Sequence, residues 1–403
     1  MTGPTSVCLI TGEYPPAVGG IADYTASLAR SLQGEGMTVS VYTTLAAGDP
    51  VGEPDGIRIL GTPGWGIGSI RAVAKAVAST RAEIVHLQYQ AAAFAMSPAL
   101  LALPHLLRAH GRTAFITTFH DLRPPYLFPK AGPLRHWFNY GLIGASDAVV
   151  FTDASDLTRA HPRRPAAWIP IGSSISPPAE IDRDAARQRF GIAPDEAVVA
   201  SFGFVNASKG LETLLRSADR LVRGGVPLRL LLIGDETGTS DPRNQKTAAT
   251  VRALAGSLEL GERVIRTGLL APGDVSTALA AADLAALPYV DGASLRRSSL
   301  LTCLAHGLPV VTTRPAAAAR LTAEDRVALF DDPAAFHISP DVVAIVPRED
   351  DAALARELYR LLNDPARAER LGAAGKELAG RLDWASIGQA TRQVYRRALG
   401  ERP

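Results

Sequence analysis

The sequence predicts an α/β protein built from two doubly wound domains, each a parallel sheet with helices on its faces. Three observations carry this expectation. Short β-branched or Leu-rich runs alternate with longer segments of helical period along the whole chain. The chain has 403 residues, 47% hydrophobic and 20% charged, and so exceeds the roughly 250–300 residues that one core usually serves. Near residues 172–185, a stretch rich in Ser, Pro and acidic residues (IGSSISPPAEIDRD) separates two halves of similar size.

In the first half the expected strands are 7–12, 39–44, 57–60, 84–88, 115–119, 148–152 and 168–171, with helices over 22–32, 70–78 and 98–110. In the second half the expected strands are 198–204, 228–233, 264–267, 284–287, 310–313 and 342–346. The helices between them are 211–223, 247–258, 275–281 and 299–305. Residues 351–399 are almost continuously helix-favouring, with Trp384 and Tyr395 as anchors. The apolar region 91–107 is interrupted by Ser97, Pro98, Pro104 and His105 and is shorter than the ~20 residues a membrane span needs. It reads as buried helix capped by Ser97 with Pro98 in the first position.

Composition narrows the function. With 42 Lys+Arg against 40 Asp+Glu the formal charge is +2, which disfavours a nucleic-acid partner, although a local anion site is compatible with it. Only Cys8 and Cys303 occur, so neither a disulfide scaffold nor a cysteine-built zinc site is expected. No basic residue precedes the short apolar stretch 7–10, so no secretory signal is expected and a cytoplasmic location follows.

Three segments carry chemistry. In ITGEYPPAVGGIADYTASLARSL a strand passes through a Pro-Pro loop to Gly19 and Gly20 and then to a helix. Adjacent glycines at a helix N-terminus suit an anion, although a βα turn that needs glycine dihedrals explains them equally well. The spacing does not match GxGxxG, which disfavours a dehydrogenase. In ASFGFVNASKGLETLLRSADRL, Gly203 ends a strand and Lys209 precedes a helix at the sheet's carboxyl end, where open parallel sheets bind ligands. A cation at a helix start opposes the dipole, which favours a functional role for it slightly. The third segment is ALPYVDGASLRRSSLLTCLAHGLPVVTT.

Taken with EYPPAVGG, VHLQY, FITTFHD, GFVNASKG, LLIGD and the C-terminal Trp384, this third segment resembles the family 4 glycosyltransferases, in the right order and over nearly the whole chain. The resemblance implies a GT-B architecture: an acceptor-binding domain over 1–175, a nucleotide-sugar domain over 176–380, and a helix over 381–403 returning to the first. It also implies transfer of a sugar from a nucleoside diphosphate donor to a hydroxyl acceptor, with retention and no catalytic metal or further cofactor. The leaving diphosphate would help deprotonate the acceptor, so the protein's task is largely electrostatic.

Site residues follow from the same alignment. His120 falls near sugar and acceptor, and Gly203, Phe204, Lys209 and Asp235 near the donor. Thr267, Gly268 and Leu269 offer backbone groups to the base, and Leu295 and Ser298 open the phosphate-facing helix. The family's Glu-x7-Glu motif is absent, with Ser294 and Thr302 at its two positions, and Phe204 occupies the place of a phosphate-binding Arg. Arg296 and Arg297 have appeared nearby, and one of them is expected to replace it, since helix starts otherwise prefer acids. Glu236 and the polar stretch to Lys246 read as a donor-side loop. VHLQY, with His86, reads as packing or an acceptor-side element.

The favoured function is a retaining hexosyltransferase. The alternative is a catalytically silent GT-B protein that binds a nucleotide or glycan. The expected partners are a donor and an acceptor and no nucleic acid, with the chain a monomer or homodimer in peripheral contact with the inner face of a membrane. That contact is suggested by Arg135, Trp137, Phe138 and Tyr140 in GPLRHWFNYGL, which core packing explains as well.

Overall fold

The computed structural model describes residues 5–45, 52–111, 113–122, 134–180, 182–235, 242–315, 330 and 336–400. The first sheet contains β1 (Ser6–Thr11), β2 (Thr38–Thr44), β3 (Arg58–Thr62), β4 (Ile84–Tyr89), β5 (Ala114–Phe119), β6 (Ala148–Phe151) and β7 (Ala166–Trp168). All neighbours pair in parallel, in the order β3-β2-β1-β4-β5-β6-β7. Such strands are covered on both faces and therefore read as apolar runs, as in Val7–Ile10, where no residue is more than 1% exposed. The order reverses between β1 and β4.

The second sheet contains β8 (Ala197–Phe202), β9 (Leu228–Ile233), β10 (Val264–Arg266), β11 (Leu284–Leu287), β12 (Val310–Thr313) and β13 (Ala344–Val346). It is also parallel, in the order β10-β9-β8-β11-β12-β13, and reverses between β8 and β11. The crevice at the carboxyl ends beside such a reversal is where ligands of doubly wound sheets bind.

The first unit carries α1 (Gly20–Gly34), α2 (Ile70–Ser79), α3 (Leu103–Arg108), α4 (Leu134–Ala145) and α5 (Ala154–Ala160). In the second are α6 (Arg183–Arg189), α7 (Leu211–Arg223), α8 (Pro242–Ser257), α9 (Pro272–Ala280), α10 (Ser298–Ala305), α11 (Asp351–Leu362) and α12 (Pro365–Gly380). The last helix, α13 (Trp384–Ala398), belongs to the first unit, which comprises Met1–Ile171, Asp383–Pro403 and Phe330. The second unit comprises Gly172–Ala317 and Phe336–Leu382. α7 shows why the pattern is readable: Leu211, Leu214, Leu215, Ala218 and Leu221 recur at helical spacing and all are buried.

Several expectations need correction. The helix expected over 98–110 is a 3-10 turn, Pro98–Ala102, followed by α3. Pro104 has no N–H to donate and so starts a new helix. Ser97 does cap the turn, its hydroxyl accepting from the Ala99 N–H at 3.3 Å. The stretch over 351–399 is three helices, divided where Asp364 and Asp383 cap the starts of α12 and α13 and Pro365 takes the first position of α12. Part of the expected connection is helical, because Asp182 caps α6. The sequence reading gave no helix over α4 or α5. Among the described residues, no helix is long and apolar enough to cross a membrane.

Candidate donor and acceptor sites

The second unit gathers its polar machinery where β8 and β11 end. Gly203 follows β8 with φ 114°, and a Cβ there would lie 2.6 Å from Lys209 Nζ. Glycine therefore serves twice, for the dihedral and for room beside the ammonium. The chain then turns through the 3-10 segment Ala207–Lys209, where the Asn206 Oδ1 accepts from the Ser208 N–H at 3.1 Å and its hydroxyl at 2.7 Å. Lys209 thus sits in that turn, and α7 begins after left-handed Gly210, whose Cβ would meet the Pro288 carbonyl oxygen at 2.0 Å.

Lys209 is 9% exposed and donates to the Phe202 carbonyl at 3.1 Å and the Ser299 hydroxyl at 2.6 Å. The Ser299 Oγ lies 2.8 Å from the Tyr289 hydroxyl. Nζ is 5.4 Å from the centre of the Tyr289 ring, and the Arg297 guanidinium carbon is 4.5 Å from the same centre. Two cations share one buried ring, a favourable placement against its negative face. Arg297 also donates to Asp291 and, at 3.0 Å, to the Ser208 hydroxyl. Burial, reinforced by Arg297, pushes the Lys209 pKa down to about 7. An ammonium has three donors, and two are already committed, leaving one for a ligand.

The structure draws Lys209 and Arg297 together and treats the other expected donor residues differently. Arg296 is half-buried, its backbone N–H donating to the Ser294 hydroxyl at 3.4 Å. Ser294 supplies its carbonyl to the Arg297 N–H at 3.1 Å, and Leu295 is 9% exposed. The Ser298 Oγ pairs with Ser174 at 3.0 Å. Thr302 is fully enclosed and its hydroxyl lies 3.1 Å from Ser173, so a ribose would have to displace that partner to reach it. Phe204 is half-buried, and the Asp235 carbonyl accepts from the Val205 N–H at 3.1 Å. The Thr267 hydroxyl accepts from the Gly234 N–H at 3.2 Å, Gly234 bridges Gly268, and Leu269 is 55% exposed. Glu236 and the rest of 236–241 lie outside the described residues.

In the first unit the Pro-Pro loop delivers Gly19 and Gly20 to the start of α1. The backbone does not need glycine at position 19, because its φ of 176° is extended. A Cβ on Gly19 would lie 2.6 Å from Glu13 Oε2, whereas one on Gly20 would meet nothing within 4 Å. The approach is open at Gly20, but a carboxylate of the chain itself already faces Gly19. Burial raises the Glu13 pKa.

His120, just past β5, has Nε2 3.2 Å from Gln88 Oε1 and stands edge-on to Tyr24, with ring centres 4.6 Å apart. Tyr24 in turn packs edge-on against Trp384 of α13 at 5.2 Å. Burial pushes the His120 pKa down to about 3, so the ring is neutral. His86 is a packing element: its Nδ1 and Nε2 lie 2.7 Å from the Tyr395 hydroxyl and 2.7 Å from the Thr118 hydroxyl. Sequence reasoning missed Tyr289, Asp291 and Ser299. The position of Tyr289 and Asp291 just after a strand beside the sheet reversal was the available signal. Among the described residues, no group of three or more His, Cys, Asp or Glu is placed to hold a metal ion.

Comparison with known proteins bears on the family and the fold. Residues 19–167 match the glycosyl transferase 4-like domain and residues 196–364 match glycosyl transferases group 1. A D-inositol 3-phosphate glycosyltransferase of Kineococcus radiotolerans is 30% identical over 275 residues, 65% of this chain and 59% of that protein. The match thus spans about 59% of that relative's length. Sucrose-phosphate synthase from Thermosynechococcus elongatus has a TM-score of 0.73 at 21% identity, covering 98% of this chain and 99% of the other. Anabaena HepE, solved in complex with UDP and glucose, has a TM-score of 0.72 at 15% identity, covering 98% of this chain and 100% of the other. With the two matched domains following one another on two doubly wound parallel sheets, the chain belongs to the GT-B glycosyltransferases of the group 1 family.

Proposed function

We propose that the protein is a retaining glycosyltransferase that moves a sugar from a nucleoside diphosphate donor to a hydroxyl acceptor. The observation that carries this reading is the cation pair Lys209 and Arg297, set around Tyr289 at the carboxyl ends of β8 and β11. A diphosphate gains negative charge as its bond to the sugar breaks. Pre-placed cations in a largely dry site stabilise that charge without reorganising at the moment of reaction. Arg297 takes the part of the Arg missing at position 204, and no carboxylate at 294 or 302 opposes it. Neutral His120 serves as a hydrogen-bonding partner for a sugar or acceptor hydroxyl. The chemistry proposed needs no metal, since the leaving diphosphate takes the acceptor's proton.

Support for the donor class comes also from the UDP and glucose in the HepE structure and from the glycosyltransferase activity named for the Kineococcus relative. In this reading the acceptor binds to the first unit, and peripheral contact with the inner face of a membrane belongs to the same reading. A thermal-shift panel of UDP, GDP, ADP, CDP and dTDP tests it: the matching nucleotide at 100 times its dissociation constant adds about 2.7 kcal/mol. No shift with any of them would turn the reading towards a silent binding protein.

The two arginines give a sharper prediction. Arg297→Ala should weaken the matching nucleotide about 10- to 100-fold, since it removes a charge-assisted contact worth roughly 1.5–3 kcal/mol. Arg296→Ala should change it less than threefold. Calorimetric titration of both variants checks this, and equal losses would remove Arg297 from its assigned part.

A further inference from the structure

The first unit bears a surface that the donor and acceptor chemistry leaves unused. Trp137 and Tyr140 lie three residues apart on α4, hence on one face, and are 74% and 54% exposed. Trp137 is open to solvent over most of its surface and Tyr140 over about half of it. Beside them is a cavity of about 510 Å³ lined by Tyr140, Ile143, Gly144, Ala160, Pro162 and three basic residues, His161, Arg163 and Arg164. No acidic residue is among the described lining residues. His161, at the end of α5, adopts a left-handed conformation with φ 41°. All three basic residues are exposed, and the Arg164 guanidinium donates to the Gly144 carbonyl at 3.2 Å, which holds it over the end of α4.

From this juxtaposition we infer that the α4–α5 face docks on an anionic lipid surface, with headgroup phosphate in the Arg163/Arg164 cavity and Trp137 and Tyr140 at the interfacial layer. Amphipathic aromatic rings favour the headgroup level, and juxtamembrane basic residues each add attraction to an anionic leaflet. The chain's overall charge of +2 is too small to supply that attraction diffusely, so a local basic cluster is the part able to do it. The inference rests on the membrane-contact part of the proposed function, and gives that contact an address.

Co-sedimentation of the full chain tests it, using phosphatidylcholine vesicles with and without about one-third phosphatidylglycerol. The parent should partition onto the anionic vesicles and release as salt rises, because the Debye length shrinks. Arg163→Ala with Arg164→Ala should lower that partition roughly 25-fold, at about fivefold per lost basic residue. Trp137→Ser with Tyr140→Ser should lower it on its own. Nucleotide stabilisation should be unchanged in both variants, which reports that they fold.

If the parent fails to bind anionic vesicles, membrane contact itself is wrong. If the parent binds and both double variants bind equally well, contact is real but lies elsewhere. Inorganic phosphate that stabilises the parent through Arg163 and Arg164 while vesicles do not bind would make the cavity a small-anion site and overturn the docking surface.

Discussion

A Lys209→Met variant is expected to fold, to lose donor binding, and to erase a pH dependence of stability that the parent shows. Met keeps an unbranched apolar stem against Tyr289 and removes the ammonium that Gly203 makes room for. The nucleotide should bind about 10- to 100-fold more weakly, the loss expected for one charge-assisted hydrogen bond. The folded chain releases the Lys209 proton near pH 7, against an ordinary value of 10.5. Between those two pH values the unfolded chain binds the extra proton, so parent stability rises with pH across that window and levels off on either side. The change is on the order of a few kcal/mol. Paired thermal melts of parent and variant at pH 6.5 and 9.5 read it, and a constant gap between the two would show that Lys209 titrates normally. A bound diphosphate engages the third donor and restores the charge, so binding takes up a proton above pH 7. Affinity should therefore fall by up to about tenfold per pH unit there.

How much of this was legible in the sequence depended on whether local pattern or tertiary contact decides. Among the described residues, twelve strands were readable because parallel strands buried on both faces are short apolar runs, whereas β7 meets the expected 168–171 only at Trp168; α7 matched residue for residue because its apolar stripe is complete. Where proline and capping aspartates act, the reading blurred: Pro104 split one expected helix and Pro365 with Asp383 divided another region. At the site, Lys209 and Arg297 were legible as unusual cations near helix starts. Their meeting on Tyr289 was not, since a ring 80 residues from Lys209 in sequence reveals its partners only when β8 and β11 pair. Thr302 shows the opposite limit. Its place in a motif was readable, while its engagement with Ser173 depends on how the connection after β7 folds back onto α10. At Gly19 an anion cradle and an ordinary βα turn fit the sequence equally well, because nothing local signals that Glu13 turns to face it.

Removing His86 should do the most damage to the first unit, and its cost should appear in α13. The ring is 1% exposed and bridges the Tyr395 hydroxyl of α13 to the Thr118 hydroxyl of β5 at 2.7 Å on each side. His86→Leu fills the space but leaves both enclosed hydroxyls without that partner, which costs ~2–6 kcal/mol at 1–3 for each. Tyr395→Phe should cost less, and the two together less than their sum, because each removes the same contact. The imidazole also has a pH signature. Burial pushes its pKa down to about 3 from 6.5, so the unfolded chain binds a proton that the folded chain refuses. Stability is therefore full above pH 6.5 and is lost as pH falls towards 3, and the variant should lose less over that range; His120, shifted the same way, retains its share of the slope. Loosened α13 disturbs Trp384, then Tyr24, then the edge on which His120 rests. Turnover should consequently fall in His86→Leu while nucleotide stabilisation, which belongs to the second unit, stays within about twofold of the parent. Hydrogen exchange separates the causes: faster exchange confined to α13 supports the relay through Trp384 and Tyr24, and unchanged protection there alongside lost turnover would refute it.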